Sequence, residues 1–210
     1  MYNLLMNTNL VNMNKLQGFY FLQSLGVPAV PWQILSHSTY LDPHLLWTIR
    51  VAVERGPDMN LPRAIGIDSF SAKLKGEELL RKFNNVGIVV YYPYFIAEKS
   101  GTLEIRQETI IIEAVKNDLW NLTTYGKPDV TILIDKRTKT KSIHGDASLM
   151  EDSEIKELIR YAARVRMKLR EYIFDGRSAL LEWSYAINTD INHQPIGDKY
   201  LVFYEVRTIG

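Results

Sequence analysis

The sequence has 210 residues, with 25 basic and 24 acidic side chains and a formal net charge of +1. This balance argues against a nucleic-acid-binding protein, which usually carries a basic surplus or stripe. The absence of cysteine excludes disulfides and thiolate metal sites. The apolar runs are far shorter than the roughly 20 residues of a membrane-spanning helix, and the asparagine-rich start lacks the basic region of a signal peptide. We therefore expect a cytoplasmic protein that binds neither nucleic acid nor membrane.

In chain order, the first part of the sequence predicts a helix, two strands, a loop and a second helix. The first helix begins at Asn14 and ends before Gly26, a residue type that commonly follows a helix. The longer strand has Arg50 inside an apolar run, and a buried guanidinium must be paired. The predicted strands cover residues 32–35 and 45–53, the loop covers 55–68 and the second helix covers 77–83.

The second part of the sequence predicts an antiparallel β pattern, a long helix and two last strands. The predicted strands cover residues 86–96, 102–105, 109–115, 130–134, 179–187 and 200–207, with turns at 99–101 and 126–128. The helix covers residues 152–174, because its apolar side chains recur at helical spacing. Asp152 or Ser153 is expected to cap its start, and Asp175 and Gly176 to end it.

These elements predict an α+β protein with two lobes. The N-terminal lobe is expected to cover residues 1–84 and the C-terminal lobe residues 85–210. The second lobe is expected to contain a mostly antiparallel sheet and the long helix. We find no internal repeat and no low-complexity segment.

Charged side chains in the last two strands form the most informative pattern. Glu205 and Arg207 share one face, because side chains alternate along a strand. If the two strands pair, Glu182 can lie on the same face. Two carboxylates beside a guanidinium suit magnesium and triphosphate, because magnesium prefers oxygen ligands and a forked cation fits phosphate oxygens. By spacing alone, a surface ion-pair cluster is the better explanation of the pattern.

The order of several short segments resembles the ATP-binding domain of the phosphoenolpyruvate synthase and pyruvate phosphate dikinase family. The Leu-Leu-Glu-Trp segment at 180–183 is similar to that family's Asp-Ile-Glu-Trp strand. The last strand, at 200–207, is similar to the Leu-Tyr-Ile-Leu-Gln-x-Arg strand that follows it. Further similar segments precede these two in the family's order: residues 14–15, 25–28, 46–50, 61–62, 88–103, 112–114, 125–129 and 149–174.

This resemblance implies an ATP-grasp fold, with ATP and Mg²⁺ as cofactors. It implies that Lys15 contacts the phosphates of the nucleotide and that Arg50 contacts its terminal phosphates. Glu182 and Glu205 would hold magnesium, and Arg207 would brace the triphosphate, which makes Arg50 and Arg207 the expected catalytic residues. The adenine is expected between the lobes, near the strand at 86–96. Phosphoryl transfer depends mostly on positioning and charge neutralisation, which suits these residue types.

The sequence departs from the family pattern at several positions. Leu180 replaces the first acid of Asp-Ile-Glu-Trp, Glu205 replaces a glutamine, and residues 65–69 do not match the family's phosphate loop. Three functions stay open. They are an ATP-dependent phosphotransferase or its catalytic subunit, an inactive module that binds a nucleotide or a protein, and a carboxylate ligase. Because the family's phosphohistidine and acceptor domains do not follow this unit in the sequence, three alternatives stay open: a separate chain carries the phosphohistidine or acceptor domain, the protein phosphorylates another acceptor, or it only binds a nucleotide.

Other candidate residues are explained by ordinary packing or solvation. Lys15 alone reads as a solvated residue in the first turn of a helix. The tyrosines at positions 91, 92 and 94 are expected to pack in a hairpin. His144 is expected in a loop, and the remaining histidines, at 37, 44 and 193, lack metal-ligand spacing.

Overall fold

The computed structural model describes residues 13–53, 60–119, 122 and 126–210. Residues 55–59 of the predicted loop, and Tyr125 of one family-like segment, lie outside these ranges. In chain order, the elements are α1 (Lys15–Ser24), β1 (Gln33–Ile34), β2 (Trp47–Val53), β3 (Arg63–Ile67), α2 (Ser69–Lys82), β4 (Gly87–Pro93), β5 (Phe95–Ile105), β6 (Thr109–Lys116), β7 (Val130–Asp135), β8 (Lys141–Gly145), α3 (Asp152–Lys168), α4 (Arg170–Phe174), β9 (Ser178–Thr189) and β10 (Pro195–Ile209).

The strands form two sheets. A four-stranded sheet has the order β1-β4-β2-β3, and a six-stranded sheet has the order β10-β9-β5-β6-β7-β8. Neighbouring strands are antiparallel in both sheets. The chain passes from the first sheet to the second at Tyr94, between β4 and β5. The two-lobe division after residue 84 stays a prediction, although β4 hydrogen-bonds to the first sheet.

Helix α3 covers one face of the six-stranded sheet with its apolar stripe. Ile155, Leu158, Ala162 and Val165 are buried there against strand residues such as Leu181. The start of this helix differs from the prediction, because Glu151 is the N-cap residue and forms a reciprocal capping box with the third helical residue. The helix also ends at residue 168 rather than at the predicted residue 174, and one residue, Leu169, separates it from the short helix α4. Among the described helices, none combines the length and apolarity that a membrane span requires.

Helix α1 lies against β10, and a glycine permits the close approach. A Cβ atom added at Gly18 would lie 2.5 Å from the carbonyl oxygen of Val206. The helix begins at a capping box in which the Asn14 side chain accepts from the backbone N–H of Gln17, while the Gln17 side chain accepts from Asn14. The first residue after this cap is Lys15, so the cap and the glycine together hold Lys15 beside β10.

Several predicted local assignments differ from the structure. Residues 99–101 lie inside β5 rather than in a turn, because they pair with both β6 and β9, and the missing side chain of Gly101 leaves room for the Glu113 carbonyl and the Trp183 ring. The predicted loop contains β3, and β8 is an additional edge strand with exposed residues. Helix α2 begins at Ser69, eight residues before the predicted start, because the Asp68 side chain caps it.

Candidate functional site

A cavity of about 710 Å³ lies between the two sheets. Strands β2, β3 and β4 contribute one side of it, and β5, β9 and β10 contribute the other. The cavity wall contains all five residues that the sequence singled out: Lys15, Arg50, Glu182, Glu205 and Arg207. The structure therefore brings together five positions from four separate elements, and their roles stay predictions.

Strand pairing and a β-bulge place the two glutamates side by side. Strands β9 and β10 pair antiparallel, and Glu182 and Glu205 are direct partners across them. The register shifts between Phe203 and Glu205. Phe203 packs in the main core while Glu205 faces the cavity, although strict alternation would place both on one face. The bulge thus re-aims Glu205 toward the cavity.

Glu205 is the centre of the charge cluster. Its Oε2 atom lies 3.3 Å from Lys15 Nζ and 3.2 Å from Arg50 Nη2, and its Oε1 atom lies 2.5 Å from Arg207 Nε. The residue is only 5% exposed. Burial alone would raise the pKa of Glu205, but Arg50, Lys15 and Arg207 lower it below its ordinary value. Glu205 is therefore an ionised anchor for three cations.

Strand β2 supplies Arg50 and helix α1 supplies Lys15. Every residue of β2 is buried, and Arg50 itself is 6% exposed. Its guanidinium lies 5.7 Å from the centre of the Phe19 ring. The pKa of Lys15 is lowered, first by burial and then by the nearby Arg50 and Arg207, although Glu205 opposes this. Both cations thus pair with the Oε2 atom of Glu205.

Glu182 is the carboxylate of the pair whose ionised form is less stable. Burial and the charge of Glu205 raise its pKa to about 7, although Arg50, Lys15 and Arg207 act in the opposite direction. Two neighbouring carboxylates resist simultaneous ionisation in a buried site. Near neutral pH, the site therefore gains from a further positive charge close to Glu182.

The Glu182→Gln variant should be more stable than the native protein at alkaline pH. A raised pKa means that the folded state binds more protons than the unfolded state between the ordinary glutamate pKa of 4.5 and about 7. Native stability therefore falls as the pH rises through this window. We expect the two proteins to have similar free energies of unfolding near pH 4.5. Above about pH 7, the free energy of unfolding of the variant should exceed that of the native protein by roughly 1–3 kcal/mol.

Urea unfolding of both proteins across this pH range measures the difference directly. A difference that does not change with pH would contradict the electrostatic explanation. The same would hold for a variant that is less stable than the native protein at alkaline pH.

The donor set fits a magnesium ion that arrives together with phosphate groups. Among the described residues, no group of three or more histidine, aspartate or glutamate side chains could hold a metal by itself. Magnesium in nucleotide sites commonly binds one or two carboxylates and completes its shell with phosphate oxygens and water. Glu182 and Glu205 provide such carboxylates, with Glu182 the one that a cation would relieve.

Sequence reasoning missed several polar residues of the cavity. Tyr92 lines it and interacts with Arg50, while Tyr204 lines it beside Glu182, and burial followed by Glu182 raises the pKa of the Tyr204 hydroxyl. Ser184 shares a 2.8 Å hydrogen bond with Ser100, and both line the cavity. Asp118 also lines it. Because side chains alternate along a strand, the position of Glu182 predicts that Ser184 lies on the same face. The same alternation from Glu205 does not predict Tyr204, because the β-bulge changes the direction of these side chains.

The tyrosines of the predicted hairpin divide between packing and the cavity. Tyr91 packs on Trp47 and hydrogen-bonds to Gln33, as expected of a packing residue. Tyr94 lines the cavity, and its ring also contacts His193 at the tip of the β9–β10 hairpin. His144, expected in a loop, lies in the exposed edge strand β8.

Neither a protein-family model nor a curated protein matches the sequence. N5-carboxyaminoimidazole synthetase from Staphylococcus aureus, complexed with ADP, is 14% identical over 92% of this chain and 43% of that chain, with a TM-score of 0.48. N5-carboxyaminoimidazole ribonucleotide synthetase from Thermus thermophilus is 18% identical over 92% of this chain and 44% of that chain, with a TM-score of 0.50. ACD1 from Ca. Korarchaeum cryptofilum, in complex with coenzyme A, is 11% identical over 94% of this chain and 92% of that chain, with a TM-score of 0.53.

The last two similarities and the two antiparallel sheets show that the chain has an α+β, ATP-grasp fold. The expected fold class is therefore confirmed. The chain spans less than half of the length of both synthetases. These structures do not include a phosphoenolpyruvate synthase or a pyruvate phosphate dikinase, so the finer resemblance to that family stays a prediction.

Proposed function

We propose that this ATP-grasp chain binds ATP with Mg²⁺ in the cavity between its sheets and transfers a phosphoryl group. The observation that carries the proposal is the convergence of three cations on two carboxylates in one cavity: Lys15, Arg50, Arg207, Glu182 and Glu205. The volume of about 710 Å³ lies within the roughly 300–1,000 Å³ that small-molecule sites occupy.

The charge balance of the cluster supports a magnesium–triphosphate ligand. Three cations facing two carboxylates leave a formal excess of one positive charge, and a bound magnesium ion would raise this excess to three, which favours an anion of several charges. Magnesium would neutralise the pair of glutamates, and Glu182, with its raised pKa, gains most from it. Lys15 and Arg50 would contact the phosphates after giving up part of their pairing with Glu205. The adenine would lie between the lobes near β4.

Phosphoryl transfer needs positioning and charge stabilisation more than covalent help from the protein. Arg50 and Arg207 would neutralise the charge that develops on the transferred group. The acceptor is either a small molecule or a separate chain with a phosphohistidine or acceptor domain. A carboxylate ligase of this fold would instead join an acid and an amine while releasing ADP and phosphate.

One observation favours a second candidate, a module that binds a nucleotide or a protein partner without chemistry. Both carboxylate oxygens of Glu205 are already paired with cations. Leu180 also stands where the similar family has an acid. If Glu205 keeps these pairs when the ligand binds, magnesium is held by Glu182 alone, and transfer of the phosphoryl group is impaired.

Thermal unfolding with ATP, with Mg²⁺ and with both together tests the binding step. We expect the combination to raise the stability of the native chain, by about 2.7 kcal/mol at a hundredfold excess over the dissociation constant. Each variant is compared with its own ligand-free baseline. Glu182→Gln should lose the magnesium-dependent part of the rise, and Arg207→Gln should lose most of the whole rise.

Glu108→Gln, an exposed carboxylate outside the cavity, is the matched control and should keep the full rise. No rise with ATP and Mg²⁺ at millimolar concentration would contradict the proposal. If binding is present, ADP release in the presence of candidate acceptors separates an enzyme from an inactive module. Release that needs both an acid and an amine would identify a ligase instead.

A further inference from the structure

A second concave surface lies on the side of the six-stranded sheet that helix α3 covers. This α3 groove has a volume of about 500 Å³ and runs between the helix and the ends of strands β5 and β6. Its apolar lining includes Ile105, Ile110, Ile159, Met167 and Phe174. Met167 is 71% exposed and Phe174 is 54% exposed, which is unusual for large apolar side chains that lie together.

The groove follows one face of the helix. Its lining residues on α3 extend from Ile159 to Met167, a length of about 12 Å at 1.5 Å per residue, and Arg170 and Phe174 on α4 continue the groove beyond them. This length and the open shape suit a partner segment of about three helical turns laid along the groove. The α3 groove is thus long enough to bind an amphipathic segment through several apolar side chains.

Three cations border the α3 groove: Lys136, Arg166 and Arg170. Among the ion pairs of the described residues, none involves these three. The guanidiniums of Arg166 and Arg170 lie 6.0 Å and 5.8 Å from the centre of the Phe174 ring, and Lys136 donates to the backbone carbonyl of Arg106. Their nearest partners are thus a ring and a carbonyl group rather than carboxylates.

The electrostatic potential at this border of the α3 groove is positive. Burial lowers the pKa of Lys136 to about 8, and the charge of Arg166 adds to the effect, although Glu108 acts in the opposite direction. The stretch from 160 to 170 on the same helices has five basic residues and no acidic one. Carboxylates of a partner would supply the missing counter-charges.

We propose that the α3 groove binds an acidic, amphipathic segment of a partner protein. Its apolar side chains pack on Met167 and Phe174, and its carboxylates pair with Lys136, Arg166 and Arg170. The first 12 residues of this chain contain no acidic residue, so charge complementarity does not favour them as the occupant. The proposal is independent of the nucleotide cavity, since no residue lines both surfaces.

Binding of a labelled synthetic peptide to the full chain tests the proposal. The probe is a three-turn helix with leucine at positions i, i+4 and i+7 and glutamate on its other face. Its partner probe carries lysine in place of each glutamate. We expect the acidic peptide to bind at least about tenfold more tightly than the basic one, with an affinity that falls as salt rises.

The Arg166→Glu/Arg170→Glu variant should weaken binding of the acidic peptide by about tenfold or more. Lys168→Glu, an exposed change on the same helix outside the groove, is the matched control and should leave the affinity unchanged. If the double variant fails to fold, the exposed Arg170→Glu alone still weakens binding. Equal weakening by Lys168→Glu, or no binding of the acidic peptide at millimolar concentration, would overturn the proposal.

Two further readouts separate other occupants of the groove. The native chain could bind phosphatidylglycerol vesicles but not the acidic peptide, and Arg170→Glu could remove the vesicle binding. This combination of results would identify a lipid surface, rather than a protein, as the occupant. Dimerisation of the native chain that Arg170→Glu abolishes would identify a second copy as the occupant. Either result would overturn the proposal of a separate acidic partner.

Discussion

Replacing Glu205 by alanine should lower the free energy of unfolding by about 3–5 kcal/mol at neutral pH. The change leaves Lys15, Arg50 and Arg207 close together without their shared counter-charge. Arg50 cannot escape to water, because it is 6% exposed on a fully buried strand. Urea unfolding of the variant and the native chain measures the loss.

The pH dependence of this loss has a definite sign. The lowered pKa of Glu205 means that its contribution is present above the ordinary glutamate range and is lost as the pH falls through the folded-state pKa. The difference between variant and native chain should therefore shrink in acid. A loss that is equally large in acid would indicate that packing, rather than charge, holds the cluster together.

Glu104→Ala is a matched control for the Glu205 variant. Glu104, near the end of β5, pairs with Arg106 two residues later, as Glu205 pairs with Arg207, but the Arg106 side chain is 53% exposed. An exposed pair contributes only about 0.2–1 kcal/mol. A loss for Glu104→Ala as large as that for Glu205→Ala would contradict the role of burial.

Replacing Trp183 by alanine should destabilise the protein by about 3–5 kcal/mol. Trp183 is completely buried in the main core, with its ring against Tyr185 and over Gly101. Its removal leaves a large cavity on the core face of β9, and Glu182 projects from the opposite face of the same strand, so a shift of this strand should also weaken binding of ATP with Mg²⁺. Calorimetric unfolding and the ligand-dependent shift described above measure the two effects.

Two other aromatic changes serve as controls for Trp183→Ala. Trp183→Phe keeps most of the ring and removes an indole N–H that has no hydrogen-bond partner among the residues that the structure describes, so it should cost less than half as much. Tyr40→Ala, at a side chain that is 77% exposed, should change stability by no more than about 0.5 kcal/mol. Equal losses in all three variants would contradict a specific packing role for Trp183.

The candidate site was only partly predictable from the sequence. The spacing of Glu205 and Arg207 set their common face, because side-chain direction along a strand is a local property. The prediction that Glu182 shares this face depended on the pairing of the last two strands, and the structure confirms that pairing. Tyr92 and Asp118 carried no local signal, since their place in the cavity depends on how the two sheets face each other.

By itself, the sequence determined the elements whose periodicity is local. It determined the apolar stripe of α3, most strands of the second sheet and the charged residue types of the site. Only the tertiary structure decided the contacts between distant positions. Arg50 and Glu205 are 155 positions apart, and the bulge after Phe203 turns Glu205 toward the cavity. Gly101, which locally predicts a turn, lies inside a strand because β6 and β9 pair with it on both sides. The reason is physical: periodicity depends on neighbouring residues, whereas register, bulges and ion pairs depend on which surfaces pack together.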